Sequence, residues 1–576
     1  MSAVGSEGDS SVALANLAQR FWAFRCYEEP LLAIQAGRNT ADTVLFREGP
    51  EDFERRSTTA EVFLRQLVSI PENHLTVQEW ATHRLLRREL EDIRSFHDMK
   101  LHERPTLFPY GPESITVDFA NTATLITLEG AALYVNRLKT ISAYFDDVVA
   151  NLTCGYVAGF RYPRQVLASA AAAVRAHSQG AVEGLAWFSP FRRTSLSGAE
   201  IQRIAQETRE LLASTLVPAL RAYADFLEGP LAVGARDSVS CTDAPRGEEF
   251  YRILVRHFTT TNVSTDELHE LGKAEVARLT SEMLRVAADA GFSGELSKYR
   301  AFLAADSQFI APSREVLREQ FEIVCKRIDL NIPAFFGRIP RITYGIQSIP
   351  EAASALLPPA YAQFNPADCS GPGVLWVTSI PAKAPRFMHS AVALHEGWPG
   401  HLMHMALIQE MQELPDFRRF AVGFSGSWRY SACLEGWALY CEGLGVEMGL
   451  YQTPHQHYGR LDMEIWRALR LVVDTGLHTR GWTRAQAVDY MAAHSALPRI
   501  AIESEVDRYI GMPAQALAYQ VGNRKFWELR TRAERRLGRR FNVRTFHDTL
   551  MAAGAVTLPV LERLVEGYLE QSEGVQ

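Results

Sequence analysis

Lysine and cysteine are scarce in this chain of 576 residues. Only 7 of its 60 basic residues are lysines, a bias that is typical of a GC-rich genome. The 7 cysteines are odd in number, scattered, and include no CxxC pair. This excludes a disulfide framework and a thiolate zinc site. A reducing compartment is the simplest fit, so we predict a cytoplasmic protein.

Long apolar runs and a recognisable leader are also missing. Nowhere do 18 uncharged apolar residues follow one another, so no membrane span or membrane partner is expected. The first residues, MSAVGSEGDSSVALANLAQRFW, lack a basic stretch followed by an apolar one, so no secretory signal is expected. Residues 1–11 are small and polar, which predicts a disordered tail.

An excess of positive charge is absent as well. The formal net charge is −7, which argues against a nucleic-acid or anionic-membrane protein. One basic run, residues 524–544 (RKFWELRTRAERRLGRRFNVR), is interrupted by Glu528 and Glu534 and predicts a solvated helix face. We therefore expect no nucleic-acid partner. Apolar residues at 47% and charged residues at 22% are ordinary globular values and exclude a disordered chain.

Helical periodicity dominates the sequence. Apolar residues recur at steps of three and four in segments such as 78–97 and 199–228. Strand patterns are confined to 338–349 (RIPRITYGIQSI) and 373–381 (GVLWVTSIP). The pattern predicts a mainly α protein with a small β-sheet. We divide it into a helical N-terminal lobe, residues 12–300, and a catalytic region, residues 301–576.

The most informative segment is 391–405, AVALHEGWPGHLMHM. A helical zinc site usually places two histidines four residues apart, with a glutamate beside the first to accept a proton from metal-bound water. Here the next histidine after His395 is His401, six residues on, and a regular helix would turn it about 240° away. Pro399-Gly400 can break the helix and restore the common face. We predict a break or bulge at residues 398–400.

Two acidic residues follow in an apolar segment, LEGWALYCEG at 434–443. Glu435 and Glu442 are seven residues apart and share one helix face. Carboxylates in so apolar a run are costly unless they are paired or bind a cation. A carboxylate on a second helix, about 34 residues after the second histidine, is typical of a catalytic zinc site with two histidines and one glutamate.

Two further segments carry polar residues that could serve such a site. In EIWRALRLVVDTGLHTRGW, residues 464–482, Arg470, Asp474 and His478 lie on one helix face. Asp474 could accept from a ligand imidazole or from Arg470, and His478 and Arg470 could donate to a substrate oxygen. In EVDRYIGMPAQALAYQVG, residues 505–522, Tyr519 is a candidate donor or a core residue, and the sequence leaves both open.

The motifs HEGWPGH, EGWALY, RLVVDTGLHTRGW and EVDRYIGMPAQALAYQVG occur in this order. Together they resemble a bacterial family known as domain of unknown function family 885, over about residues 361–568. The resemblance implies a large helical zincin-like fold with a deep central cleft, related to metallopeptidases of the oligopeptidase and carboxypeptidase type. Two departures from the family pattern are Ala514, where glycine is usual, and Leu402, where a second histidine is usual and is displaced here to His404.

The resemblance also implies roles for single residues. His395, His401 and Glu435 would be the metal ligands and Glu396 the general base. Tyr519 falls where related helical zincins have a tyrosine that binds the oxyanion.

The leading hypothesis is a zinc-dependent hydrolase that binds one Zn²⁺ per chain. It would act as a peptidase or amidase on short peptides or amide-containing small molecules. Glu396 would accept the proton of the attacking water, and Tyr519, His478 or Arg470 would stabilise the oxyanion. Strand 373–381 would form an edge on which an extended peptide lies.

Two alternatives remain. One is a metal-dependent enzyme that tailors a specialised metabolite; two histidines and a carboxylate also describe a non-haem iron site, so Fe²⁺ or another divalent metal fits the same residues. The other is a catalytically silent metal-binding module, against which the presence of Glu396 argues, since a structural site needs no base.

Overall fold

A computed structural model describes residues 7–38, 43–354, 357–420 and 429–574 of the chain. Helices dominate these residues, and three short strands form one sheet. The predicted class, mainly α with a small β-sheet, is confirmed. Within the described ranges, no helix is both long and apolar enough to cross a membrane.

The helices before the sheet form the larger part of the molecule. They are α1 (Glu7–Glu28), α2 (Pro30–Gln35), α3 (Pro50–Val68), α4 (Val77–Asp98), α5 (Pro112–Thr122), α6 (Leu128–Leu138), α7 (Ile141–Val157), α8 (Arg164–His177), α9 (Ser189–Arg193), α10 (Ala199–Leu211), α11 (Val217–Glu228), α12 (Gly247–Thr259), α13 (Thr265–Asp289), α14 (Leu296–Ala305) and α15 (Arg314–Phe335).

The helices that follow include those that carry the candidate site. They are α16 (Glu351–Ser354), α17 (His389–Glu396), α18 (His401–Glu410), α19 (Asp416–Arg419), α20 (Ser431–Leu444), α21 (Pro454–Thr479), α22 (Arg484–His494), α23 (Arg499–Gly511), α24 (Ala518–Leu537), α25 (Val543–Ala553) and α26 (Leu558–Gly574).

The N-terminal helix starts earlier than the sequence predicts. Residues 1–6 of the expected tail lie outside the described residues, but α1 begins at Glu7. Ser10 is already buried, and the next apolar face of the helix, with Leu14 and Phe21, is buried as well. Packing of that face stabilises the helix, so the helix also includes the polar residues at its start.

The sheet has the order β1-β3-β2, with β1 at Tyr344–Ser348, β2 at Ala360–Gln363 and β3 at Gly373–Val377. β1 pairs with β3 in parallel and β2 pairs with β3 antiparallel. The prediction that 373–381 forms an edge strand is therefore wrong. Its apolar residues Val374, Leu375 and Val377 are buried because β3 is the central strand. The edge that faces the candidate site is β2.

Two long helices, α13 and α21, cross in close contact at a glycine. A Cβ atom at Gly272 of α13 would lie 2.7 Å from the side chains of Leu471 and Val472 on α21. Each helix begins with a side-chain cap: Ser264 Oγ accepts from the Glu267 amide, and Thr453 Oγ1 accepts from the Gln456 amide. The crossing fixes α21 against the first half of the chain.

The hydrophobic core consists of two clusters of buried side chains, and each draws on both halves of the chain. One cluster joins Phe21 of α1 to Trp437 of α20. The other joins Tyr144 of α7 to Leu469 of α21 and Tyr509 of α23. The boundary predicted near residue 300 does not coincide with a division of this core.

Candidate metal centre

The helix that carries the first histidine ends where the sequence predicts a break. α17 stops at Glu396 and α18 starts at His401. Between them, Gly397 and Gly400 adopt ψ angles of −138° and −134°, which are not helical, and the peptide before Pro399 is cis. A Cβ atom at Gly400 would overlap the carbonyl oxygen of His395. The predicted break is confirmed.

This break brings the two predicted histidines to one point. The rings of His395 and His401 are 4.9 Å apart between centroids and nearly perpendicular. Glu435 from α20 lies between them, with its Oε2 3.4 Å from Nε2 of each histidine. Within the described part of the chain, these three residues form the group whose donor atoms could hold a metal ion.

The spacing of these donor atoms fits a small divalent cation. Ligands about 2.0–2.1 Å from a tetrahedral zinc ion are about 3.3 Å from one another. Both histidine–glutamate distances are 3.4 Å. The three side chains are at most slightly exposed, and they present two imidazole nitrogens and one carboxylate oxygen. This donor set suits zinc and also other divalent transition metals.

A second carboxylate of α20 orients the first histidine. Oε1 of Glu442 lies 2.8 Å from Nδ1 of His395, which leaves Nε2 facing Glu435. Glu442 is 2% exposed, and Nη2 of Arg467 is 3.9 Å from the same oxygen. Such a partner fixes the tautomer and the direction of a ligand imidazole. The seven-residue spacing of Glu435 and Glu442 was the signal in the sequence for this contact.

The electrostatics at this point favour positive charge. Burial alone would lower the pKa of His395, but the carboxylates of Glu435 and Glu442 raise it to about 9. Burial alone would raise the pKa of Glu435, but the imidazoles of His401 and His395 hold it well below its usual range. The carboxylates at the centre thus stabilise a cation between them.

Glu396, at the end of α17, contacts the edge of the sheet. It follows His395 directly, and its Oε2 accepts a hydrogen bond of 3.0 Å from the amide of Ala362 on β2. Ala362 therefore points its amide away from β3 and toward the site. The free edge of β2 and the predicted base lie side by side.

Tyr519, at the start of α24, lies in a group of arginines. Its hydroxyl accepts from Nη2 of Arg508 at 3.2 Å, and the guanidinium of Arg470 lies 4.1 Å from its ring centroid. Arg470 also donates to the Tyr509 hydroxyl and to Glu505. The structure thus brings Tyr519 and Arg470 together, and sequence reasoning missed Arg508 as their neighbour.

The structure does not bring His478 to this group, so the prediction that it contacts a substrate is not met. His478 is fully buried, its Nδ1 accepts from the Cys241 amide, and its Nε2 lies 3.0 Å from the carbonyl oxygen of Tyr509. Burial lowers its pKa to about 4. Both ring nitrogens contact backbone atoms, so His478 holds a loop and a helix end together.

Asp474 also differs from its predicted role. Instead of a ligand imidazole or Arg470, it accepts from the Tyr251 hydroxyl at 2.5 Å and from the Ala514 amide at 3.1 Å. Burial raises its pKa to about 7. Ala514 has φ +68°, the left-handed conformation that glycine adopts more readily. Asp474 therefore holds the turn before α24 and, through it, the start of the Tyr519 helix.

The first part of the basic run 524–544 forms most of α24, and several of its arginines contact carboxylates. Arg530 pairs with Glu447, Arg532 with Glu562 and Arg536 with Glu573.

His404, the displaced histidine of the motif, is buried against the ring of Trp437.

Comparisons with known proteins identify two similar solved structures and one family. Two solved structures, both of proteins described as a "putative lipoprotein", are similar. The one from Colwellia psychrerythraea has 23% identity and a TM-score of 0.89, covering 99% of this chain and 100% of its own. The one from Shewanella oneidensis, described as of unknown function, has 16% identity and a TM-score of 0.73, covering 96% and 99%. No curated protein matches. The model of one family matches residues 30–565, and the chain belongs to that family, described as Bacterial protein of unknown function (DUF885).

Proposed function

We propose that this protein is a metal-dependent hydrolase, with zinc as the metal, that cleaves amide bonds in short peptides or amide-containing small molecules. One observation carries the proposal: His395, His401 and Glu435 converge from α17, α18 and α20, and Glu396 stands next to the first of them. A purely structural metal site needs no such additional carboxylate.

The chemistry divides between the metal and Glu396. A zinc ion held by the three side chains would polarise both a water molecule and the amide carbonyl. Glu396 then accepts the proton of the attacking water and passes it to the leaving amine. Glu442 keeps the imidazole of His395 in place throughout, because its own carboxylate is buried with it.

Substrate positioning is the task of β2 and Tyr519. An extended peptide can pair with the free edge of β2, and the Ala362 amide can release Glu396 and donate to the peptide carbonyl. The Tyr519 hydroxyl accepts from Arg508, so its own proton is free to point toward a substrate oxygen. These features support a zincin-like mechanism of the helical oligopeptidase type.

The proposal is tested with Glu396→Gln and Glu435→Ala. Glu396→Gln is almost isosteric, so we expect the protein to keep its metal and fold and to lose turnover by about 10²–10⁴-fold, the usual contribution of a general base. Glu435→Ala removes a ligand and should lose metal and activity together. Elemental analysis of the purified proteins and hydrolysis of a mixture of short peptides measure both.

The matched control is Glu503→Gln, which changes a glutamate on α23 that pairs with Arg499. It should behave as wild type. Near-wild-type turnover by Glu396→Gln would refute the proposed base. Equal metal content in wild type and Glu435→Ala would remove Glu435 from the ligands, and iron as the native metal would favour redox tailoring over hydrolysis.

A further inference from the structure

We propose that an arginine cluster beside the metal centre binds a free carboxylate of the substrate, so that the enzyme acts on peptides or amides that end in such a group. The cluster consists of Arg467 and Arg470 on α21 and Arg508 on α23. This inference rests on the proposed function, since it names the substrate class of the same site.

The cluster is continuous with the metal centre. Arg467 approaches Glu442 at 3.9 Å, and Glu442 in turn contacts His395. On the other side, Arg470 and Arg508 share Glu505, at 3.1 Å and 3.6 Å. A chain of direct contacts therefore leads from a metal-ligating histidine into the cluster.

Positive charge in the cluster exceeds the negative charge in contact with it. Three guanidinium groups contact two carboxylates, those of Glu442 and Glu505, and Glu442 is also bound to His395. One positive charge is left over in a largely buried place, where uncompensated charge is costly. A single carboxylate would balance this charge, whereas a phosphate carries about two negative charges and would exceed it.

The arginines also keep donors that nothing in the described residues satisfies. Nη1 of Arg470, Nε of Arg508 and Nε of Arg467 are buried and have no hydrogen-bond partner there. Arg470 is only 2% exposed, and it lies against the ring of Tyr519. Buried donors are nearly always paired in native proteins. An anion that enters between Arg470 and Arg508 would satisfy them, and planar guanidinium groups suit a carboxylate.

The test measures binding without turnover. The probes are N-acetylated tripeptide mixtures, made once with a free C-terminal carboxylate and once as the C-terminal amide. A third mixture is the amide with glutamate as its last residue. Each is incubated with full-length Glu396→Gln protein, with and without chelator, and the retained peptides are quantified by mass spectrometry.

We expect the free acids to be retained about 10- to 100-fold more than the amides, as for a charge-assisted hydrogen bond. Adding Arg508→Gln should lower this preference by at least tenfold. Arg508→Lys, which keeps the charge, should restore part of it. The control Arg499→Gln, on the same helix but exposed, should leave it unchanged.

Retention of the glutamate amides to the same extent as the free acids would assign the site to a side-chain carboxylate, and weaker retention would assign it to the C-terminus. Equal retention of acids and neutral amides by the parent protein would overturn the proposal, as would an acid preference that survives both Arg508 variants. An acid preference without any metal-dependent hydrolysis would refute the proposed function and leave carboxylate recognition standing. Metal-dependent hydrolysis without a preference for free acids would support the proposed function and overturn carboxylate recognition.

Discussion

At the scale of single residues, the orientation of His395 depends on one buried carboxylate. Glu442 lies 2.8 Å from Nδ1 of His395, so the nitrogen that remains for a metal is Nε2. Because Glu442 is 2% exposed, water cannot replace it easily. The same residue contacts Arg467, so it connects the metal centre with the arginine cluster.

Glu442→Gln should therefore weaken metal binding without abolishing it. The amide oxygen can still accept from Nδ1, but the charge that makes the imidazole a stronger ligand is lost. Outer-shell changes of this kind cost about 10–100-fold in metal affinity. Competition with a chelator of known affinity measures the change, and Glu447→Gln, which alters a glutamate just after α20, is the control. Wild-type affinity in Glu442→Gln would contradict the orienting role.

The sequence allowed the three converging side chains to be predicted, but the role given to Asp474 was wrong. His395, His401 and Glu435 followed from the spacing of a histidine motif, from the helix breakers Pro399-Gly400 and from the family resemblance. The choice of Asp474 as the supporting carboxylate was wrong because the periodicity of α21 does not reveal which helix its polar face meets. Asp474 meets Tyr251 and the turn at Ala514 instead.

At the scale of elements, the site depends on how closely α20 and α24 approach each other. These helices carry Glu435 and Tyr519, and they cross at Gly436 and Gly522. A Cβ atom at Gly436 would overlap the backbone of Gly522, and one at Gly522 would overlap the carbonyl oxygen of Ala432. Two glycines are thus required for the distance at which these helices pack.

Gly436→Ala should push the two helices apart and displace Glu435. We expect a loss of about 1–3 kcal/mol in unfolding free energy, as for other overpacked sites, together with weaker metal binding. Urea denaturation and elemental analysis measure the two effects. Gly184→Ala is the control, since a Cβ atom there meets nothing within 4 Å. Full stability and full metal content in Gly436→Ala would show that the crossing can relax.

Elements were predictable to the extent that local residues determine them. The helical class and the break before His401 followed from periodicity and from Pro399-Gly400. The order of the strands did not, because it depends on pairing between segments far apart in sequence. β3 has the apolar residues of a central strand, and β2, which forms the edge beside Glu396, is too short to give a strand pattern.

At the scale of the whole molecule, a buried ionic network ties the N-terminal helix to the helices that follow. Arg25 of α1 is 1% exposed and contacts Glu29 at 2.7 Å and Glu89 of α4 at 2.6 Å. Tyr430, just before α20, donates to the other oxygen of Glu89. Through Glu89 and Tyr430, Arg25 therefore connects α1 with the helix that carries Glu435.

Arg25→Met should destabilise the whole protein while leaving the candidate metal residues untouched. Removing one partner of a buried ionic group leaves its carboxylates uncompensated, which costs about 3–5 kcal/mol. The midpoint of urea denaturation at neutral pH measures the loss. Arg203→Met is the control, because Arg203 pairs with Glu200 on the surface and its loss should not change the midpoint measurably.

We also predict how the effect of Arg25→Met on stability depends on pH. Burial alone would raise the pKa of Glu29, but Arg25 and Arg429 lower it to about 2, from an ordinary value of 4.5. A lowered pKa in the folded state means that Glu29 contributes stability fully above about pH 4.5 and loses it as the pH falls toward 2. The difference between wild type and Arg25→Met should therefore be largest near neutral pH and shrink as the pH falls toward 2. A difference that stays constant down to pH 3 would show that Arg25 acts through packing of its side chain and not through its charge.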